Sequence, residues 1–308
     1  MSLSNSLKGN SSRLLGTIPT LKKDFERTGS RHLTLANRLT FRCFEVCFDL
    51  SADQEELIQD SLAYLPLECE PCFSSSVSLH YSLIHCSDSS ESQQVSYQLY
   101  RNGRRIFACS DRHALLERFS SMISLDVAES SPIRTFVHAG VVGWGKSAVL
   151  IPGRSFSGKT TLVAELVRAG ATYYSDEFAV IDRLGMVFPY ARPLQVRESG
   201  SYRQTQRPVE ELGGVAGIQA LPVKLVIVSQ YAPGAHWRPR QLSPGIGLLK
   251  ILDNTVSARR SPAIVLSTLK QVVSDALVAR GARGEASQVV EWITAHFGSP
   301  KAHCESTK

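Results

Sequence analysis

The fold is decided by one stretch, residues 148–160, which reads Ala-Val-Leu-Ile-Pro-Gly-Arg-Ser-Phe-Ser-Gly-Lys-Thr. Its four leading apolar residues predict a buried strand. Its two glycines allow the backbone to curl, so that successive N–H groups point inward at phosphate oxygens. The helix predicted after the loop adds the partial positive charge of its N-terminus. That helix has an apolar stripe formed by Leu162, Val163, Leu166 and Val167.

The loop also carries the side chains that a nucleoside triphosphate needs. Lys159 supplies a positive charge for the outer phosphates, and the Thr160 hydroxyl is a ligand for Mg²⁺. The sequence therefore predicts that ATP and Mg²⁺ bind here. We expect nucleotide contacts along the whole loop and the start of the helix, at Gly153, Arg154, Ser155, Phe156, Ser157, Gly158, Lys159, Thr160 and Thr161.

Two adjacent carboxylates, Asp176 and Glu177, are predicted to return to the level of this loop. The helix over residues 159–169 travels about 15 Å away from the phosphates. The strand over residues 171–176 covers about 16 Å in return. One carboxylate can then bind or orient Mg²⁺, and the other can act as a general base. The alternative is a solvated acidic turn.

A histidine reaches the same place from the strand before the loop. The β-rich runs 134–142 and 146–152 flank Gly143-Trp144-Gly145, which predicts a hairpin. If Gly143 pairs with Lys146, His138 lies opposite Ile151, next to the loop. A histidine there can hydrogen-bond a carboxylate or the phosphoryl group in transfer. A core histidine with satisfied hydrogen bonds is the alternative.

The rest of the chain divides by composition into modules of opposite charge. Residues 41–133 carry six Lys/Arg against 14 Asp/Glu, whereas residues 134–308 carry 21 against 12. Such asymmetry favours two domains with different partners. The predicted limits are a flexible leader at 1–40, a small α/β domain at 41–131, the phosphate-binding domain at 132–300 and a tail at 301–308.

Local sequence patterns predict further strands, turns and helices in both modules. The run Cys43-Phe44-Glu45-Val46-Cys47-Phe48 is typical of one strand. Asn102-Gly103 indicates a hairpin turn, and Asp111 a helix cap. Two helices are predicted near the C-terminus, over residues 261–280 and 285–296.

Several classes of function are disfavoured by the composition. No basic run interleaved with aromatic residues indicates nucleic-acid binding, and no segment approaches the roughly 20 apolar residues of a membrane span. The seven cysteines are odd in number, and the N-terminus has no apolar stretch typical of a signal peptide. We therefore expect a reduced, cytoplasmic protein. Cys69-Glu70-Pro71-Cys72 could bind zinc with His80 and His85, but the spacing favours structural thiols.

The residues of the predicted site resemble the catalytic domain of HPr kinase/phosphorylase, a bacterial serine kinase related in fold to phosphoenolpyruvate carboxykinase. The similar stretch begins at His138-Ala139-Gly140-Val141-Val142, passes through the loop and ends at Ser175-Asp176-Glu177. It implies a mixed α/β fold with a P-loop kinase domain of this type.

The same resemblance implies roles for the side chains. Asp176 would be the catalytic base that removes the proton of the acceptor hydroxyl, and His138 its neighbour. Lys159 would bind phosphate, while Thr160 and Glu177 would contact the metal. The acceptor would be a serine of a peptide or protein, and the protein would form a homo-oligomer.

The sequence departs from the family pattern at two places. Glu177 stands where the family has Asp, and Gln195-Val196-Arg197-Glu198 stands where the family has Glu-Ile-Arg-Gly. A Gln is a weaker Mg²⁺ ligand than a Glu. Two other functions therefore stay open: a nucleotide sensor without catalysis, and a carboxykinase-like enzyme that acts on a small acid.

Overall fold

A computed structural model describes residues 37–73, 77–86, 96–153, 157–197 and 204–300. The chain forms two compact units, Met1–Val127 and Ala128–Lys308. Both contain helices and sheets, so the protein has a mixed α/β fold. Most of the expected leader, residues 1–36, and the expected tail, residues 301–308, lie outside the described residues.

The first unit contains a six-stranded sheet with the order β3-β1-β2-β4-β5-β6. Its core side chains include Phe48, Leu50, Tyr81 and Leu83, which are completely buried. The Asn102-Gly103 turn connects two antiparallel strands, as predicted. The cap by Asp111 is also as predicted, because its carboxylate accepts a hydrogen bond from the Ala114 N–H at 2.8 Å. The elements are β1 (Asn37–Cys43), β2 (Val46–Ala52), α1 (Glu55–Leu62), β3 (Cys69–Pro71), β4 (Leu79–His85), β5 (Tyr97–Arg101), β6 (Arg104–Cys109) and α2 (Arg112–Ser130).

The single strand predicted over residues 43–48 is wrong. The chain reverses there, and β1 and β2 pair antiparallel with Cys43 opposite Val46. Phe44 and Glu45 form the turn with φ angles of 48° and 65°. Such left-handed turns usually carry Asn or Gly, so Phe44 and Glu45 are not recognisable as a turn from their residue types.

The second unit is built on an eight-stranded sheet with the order β11-β10-β7-β8-β14-β16-β15, in which β9 also pairs with β7. Strand β14 runs parallel to both β8 and β16. The elements are β7 (Thr135–Trp144), β8 (Ser147–Pro152), α3 (Lys159–Arg168), β9 (Thr172–Ser175), β10 (Phe178–Ile181), β11 (Met186–Phe188), β12 (Leu194–Arg197), β13 (Gln204–Arg207), β14 (Leu221–Tyr231), β15 (Arg240–Gln241), α4 (Pro244–Leu252), α5 (Pro262–Ser274), β16 (Leu277–Arg283) and α6 (Ala286–Phe297).

Two separate clusters of buried apolar side chains pack around this sheet, and each includes residues of two helices. One cluster joins Leu162 and Leu166 of α3 to Val289 and Ile293 of α6. The other joins Ile251 of α4 to apolar residues of α5, including Leu269. Each cluster also includes side chains of β8 and β14, so these strands are packed on both faces. That burial explains why residues 148–151 of β8 and 225–228 of β14 are continuous apolar runs without alternation.

The helix predicted over residues 261–280 is wrong in its second part. Helix α5 ends at Ser274, and Leu277–Arg283 is strand β16. Leu277 and Val278 pair with Leu225 and Val226 of β14. A short apolar run does not distinguish a buried strand from a helix, and the parallel partner that decides the matter is about 50 residues away in sequence.

Candidate functional site

The predicted phosphate loop follows strand β8, the central strand of the sheet. The Gly153 N–H donates to the His138 carbonyl at 3.1 Å, so the loop begins beside strand β7. A Cβ atom on Gly153 would lie 2.6 Å from Ser157 Oγ, and Gly158 has a φ of +83°. The backbone at position 158 therefore favours glycine, whereas a Cβ atom at position 153 would require the Ser157 hydroxyl to move. Arg154, Ser155 and Phe156 lie outside the described residues.

The helix after the loop presents the predicted side chains. Gly158 is the N-cap of α3, and its carbonyl accepts the Leu162 N–H at 3.2 Å. Lys159 and Thr160 are half-buried, whereas Thr161 is exposed. Burial lowers the pKa of Lys159, and the carboxylates of Asp176 and Glu177 oppose that shift. The lysine therefore sits in a pocket that favours an anion near its ammonium group.

Asp176 lies at the loop, as the lengths of the helix and strand predicted. Its side chain is buried, and Oδ2 accepts a hydrogen bond from the Thr160 hydroxyl at 3.0 Å. The Tyr173 hydroxyl lies 3.0 Å from the Asp176 Oδ1 atom and 2.8 Å from the Arg192 carbonyl oxygen. The single phenolic proton is therefore shared between two acceptors. These contacts hold the carboxylate at one position beside the first turn of α3.

Glu177 is close by but has different partners. Its carboxylate lies 3.3 Å from Arg192 Nη1, and its side chain is 40% exposed. Burial raises the pKa of Glu177, while Arg192 opposes this shift; solvent access weakens both effects. The Ser175 hydroxyl oxygen accepts the N–H groups of Glu177 and Phe178 at 3.1 and 3.0 Å. That turn separates the directions of the two adjacent carboxylates.

His138 lies beside the loop, but the predicted strand register was wrong by two residues. Trp144, not Gly143, is the last residue of β7 in the hairpin, and it pairs with Ser147. Gly145 and Lys146 form the turn, because Gly145 takes a φ of +62°. The shift moves His138 from opposite Ile151 to opposite the first loop residue, Gly153.

The surroundings of His138 favour its neutral form. Its ring stacks at a tilt on Phe178 with centroids 4.7 Å apart. Burial lowers its pKa from the ordinary value of 6.5, Lys159 lowers it further, and a hydrogen bond with the Glu177 backbone opposes them. At neutral pH a neutral imidazole can accept a proton or a hydrogen bond at one ring nitrogen and donate a hydrogen bond from the other.

Three residues of the site were missed by sequence reasoning. Tyr173 and Arg192 hold the two carboxylates, and Arg283 donates from strand β16 to the Gly158 carbonyl at 2.6 Å. Of these three residues, only Tyr173 could have been suspected from the sequence, because it stands three residues before Asp176. The doubtful Gln195 lies in β12, but its side chain is outside the described part, as is Glu198.

The donor set suits Mg²⁺ bound jointly with phosphate, not a metal held by protein alone. Among the described residues, no group of three or more His, Cys, Asp or Glu side chains could hold a metal ion. Mg²⁺ in phosphoryl-transfer sites needs only one or two protein oxygens, because phosphate and water supply the others. The Thr160 hydroxyl and the adjacent carboxylates meet that requirement.

The chain is similar in structure to a solved bacterial enzyme, although no match was found at the level of family or sequence. No family model matches the chain, and no curated protein matches it. The solved structure is the Hpr(Ser) kinase/phosphatase from Coxiella burnetii, at 14% identity and a TM-score of 0.30, over 52% of this chain and 97% of that chain.

None of the helices in the described ranges is both long and apolar enough to cross a membrane.

Proposed function

We propose that the protein is a Mg²⁺- and ATP-dependent kinase with a P-loop domain of the HPr kinase type. It transfers the γ-phosphate of ATP to a serine or other hydroxyl of a peptide or protein. One observation carries the proposal: the 3.0 Å bond between Thr160 and Asp176 joins the phosphate-binding helix to the carboxylate pair. His138, beside Gly153, is the third element of the same site.

The binding of ATP is supported by the shape and charge of the loop. The N-terminus of α3 begins at Gly158, and Lys159 stands in its first turn. Backbone N–H groups and this ammonium group would hold the β- and γ-phosphates. Thr160 and Glu177 would hold Mg²⁺. When bound, the metal ion neutralises the negative charge that develops on the phosphate oxygens.

The transfer step needs a base, and Asp176 is assigned to it. The acceptor hydroxyl gives its proton to the Asp176 carboxylate as its oxygen forms a bond to the γ-phosphorus. The bond from that phosphorus to the bridging oxygen breaks, and ADP leaves with the electron pair. Lys159 stabilises the transferring group. The neutral His138 imidazole can hydrogen-bond that group or the base.

The contacts also support a second assignment of the roles of base and metal ligand to the two carboxylates. Asp176 accepts a bond from Thr160, the expected metal ligand, as an aspartate does in many P-loop enzymes. Glu177 is more exposed than Asp176, so an acceptor in solvent could reach its carboxylate more easily. In that arrangement Asp176 would orient Mg²⁺ and Glu177 would be the base.

Transfer of phosphate from ATP by the Asp176→Asn and Glu177→Gln variants tests the proposal. Loss of the base should reduce the transfer rate at every Mg²⁺ concentration, while ATP binding persists. Loss of the metal-side carboxylate should raise the Mg²⁺ concentration needed for half-maximal rate. The kinase assignment fails if both variants transfer phosphate at the wild-type rate with the wild-type Mg²⁺ dependence.

A further inference from the structure

A buried arginine, Arg283, lies next to the predicted phosphate loop at the end of strand β16, whose first four residues were predicted as helix. Strands β8, β14 and β16 are parallel, so their carboxyl ends meet at one edge of the sheet. Arg283 is the last residue of β16 and pairs with Tyr231. The phosphate loop leaves β8 at the same edge.

The contacts of Arg283 connect it directly to the loop. Its side chain is only 2% exposed. Nη2 donates to the Gly158 carbonyl at 2.6 Å, and Nη1 donates to the Gly284 carbonyl at 3.3 Å. The Nε atom is buried without a hydrogen-bond partner. The guanidinium carbon lies 5.7 Å from the centre of the Tyr231 ring.

Within the described residues this guanidinium is not paired directly with a carboxylate; Glu285 acts on it through its electrostatic field, which raises the pKa of Arg283 against the larger lowering by burial. Among the ion pairs of the described residues, none involves Arg283. Burial disfavours a charge, yet a guanidinium stays protonated in proteins. A buried positive charge without a bonded carboxylate is costly unless an anion comes near. The loop in front of it is built for phosphate, which is such an anion.

The same contact fixes the backbone of the loop. Gly158 has a φ of +83°, and a Cβ atom there would lie 2.4 Å from Nη2 of Arg283. Its carbonyl is held by both Arg283 and the first turn of α3. The orientation of this peptide determines where the N-terminus of α3 and the Lys159 side chain point.

We propose that Arg283 is a positioning residue that holds the phosphate loop from behind and offsets the charge of the bound polyphosphate. The role rests on the proposed binding of ATP at this loop. Arg283 would thereby bring a positive charge to the nucleotide site from a position more than 120 residues from the loop in sequence. Arg283 touches the loop backbone, so it acts on the nucleotide through the loop and through its charge.

Calorimetric titration with Mg²⁺-ATP and with adenosine tests this role in four proteins: wild type, Arg283→Met, Arg283→Lys and Arg280→Met. Arg280 is the control, because it is an exposed arginine on the same strand. We expect Arg283→Met to lose about tenfold to a hundredfold in ATP affinity, because the variant loses both the bond that orients the Gly158 carbonyl and the positive charge near the phosphates. Arg283→Lys keeps the charge and should recover part of that loss. Adenosine affinity should change little in all four.

The outcomes separate the two proposals. Wild-type protein that binds no Mg²⁺-ATP would overturn the proposed function and this role together. Wild-type binding that persists unchanged in folded Arg283→Met overturns only the role of Arg283. If Arg283→Met does not fold, Arg283→Gln and Arg283→Lys take its place, because both retain polar groups for the two carbonyls. Equal ATP affinity of these two variants and wild type would then refute the role, whereas weaker binding by Gln than by Lys supports it.

Discussion

Removal of the Tyr173 hydroxyl should lower the rate of phosphate transfer more than it lowers stability. This hydroxyl lies 3.0 Å from Asp176 Oδ1 and 2.8 Å from the Arg192 carbonyl. Tyr173→Phe keeps the ring, which is almost completely buried, and deletes only the polar group. The adjacent Tyr174→Phe is a matched control, because its hydroxyl donates to the Gln219 carbonyl at 2.7 Å.

The size of the effect follows from these contacts. Each tyrosine has one phenolic proton, so each variant loses about one hydrogen bond in total, which costs about 1 kcal/mol of the free energy of unfolding. A melting temperature of a unit of this size then falls by roughly 2–4 °C in both variants. Only Tyr173→Phe also releases Asp176. A hydrogen bond to a charged group is stronger, about 1.5–3 kcal/mol, so the transfer rate should fall about tenfold to a hundredfold.

Two measurements check this expectation. Unfolding can be followed by tryptophan fluorescence, because all three tryptophans, at positions 144, 237 and 292, lie in the second unit. Transfer is followed with saturating ATP, so that a change in kcat is separated from a change in nucleotide binding. Equal transfer rates for Tyr173→Phe and Tyr174→Phe would refute the idea that the Tyr173 hydroxyl positions Asp176.

Three further variants test other parts of the site. As pH falls below 6.5, the unfolded chain binds a proton on residue 138 before the folded protein does, because the pKa of His138 is lowered. The free energy of unfolding of the wild type should therefore decrease more than that of His138→Gln between pH 8 and 5.5; parallel urea profiles would contradict this. Gly140→Ala would place a Cβ 2.5 Å from Val163 Cγ2, so it should cost about 1–3 kcal/mol in urea unfolding, whereas Gly245→Ala, with no atom near its Cβ, should not destabilise the protein. Thr160→Val removes the bond to Asp176, so transfer should require more Mg²⁺, and an unchanged Mg²⁺ titration would count against a metal-side role for Thr160.

Much of the candidate site could be predicted because its signals are local. The loop glycines, Lys159 and Thr160 act through a backbone geometry that a short stretch encodes. Asp176 could be placed from the lengths of one helix and one strand, since both have a fixed rise per residue. The strand register that places His138 could not be predicted, because the turn could have been formed at either Gly143 or Gly145. Only the structure shows that Gly145 is in the turn, with a φ of +62°.

The parts that could not be predicted depend on contacts between distant segments. Strand β16 is defined by its pairing with β14, and its isolated sequence also suits a helix. Arg283 therefore gave no sign of its position behind Gly158. The role of Arg192 likewise could not be predicted, because its contact with Glu177 is seen only in the structure. In the first unit, the Phe44-Glu45 turn lacks the residues by which such turns are recognised.

The central claim is that the γ-phosphate of ATP is transferred to a hydroxyl at this site. The most direct measurement incubates the full-length protein with cell lysate and Mg²⁺, once with γ-labelled ATP and once with α-labelled ATP, alongside Asp176→Ala. We expect acid-stable label on a peptide or protein from γ-labelled ATP only, and only with the wild type. Label from α-labelled ATP, equal labelling by Asp176→Ala, or no label despite measured ATP binding would contradict the claim.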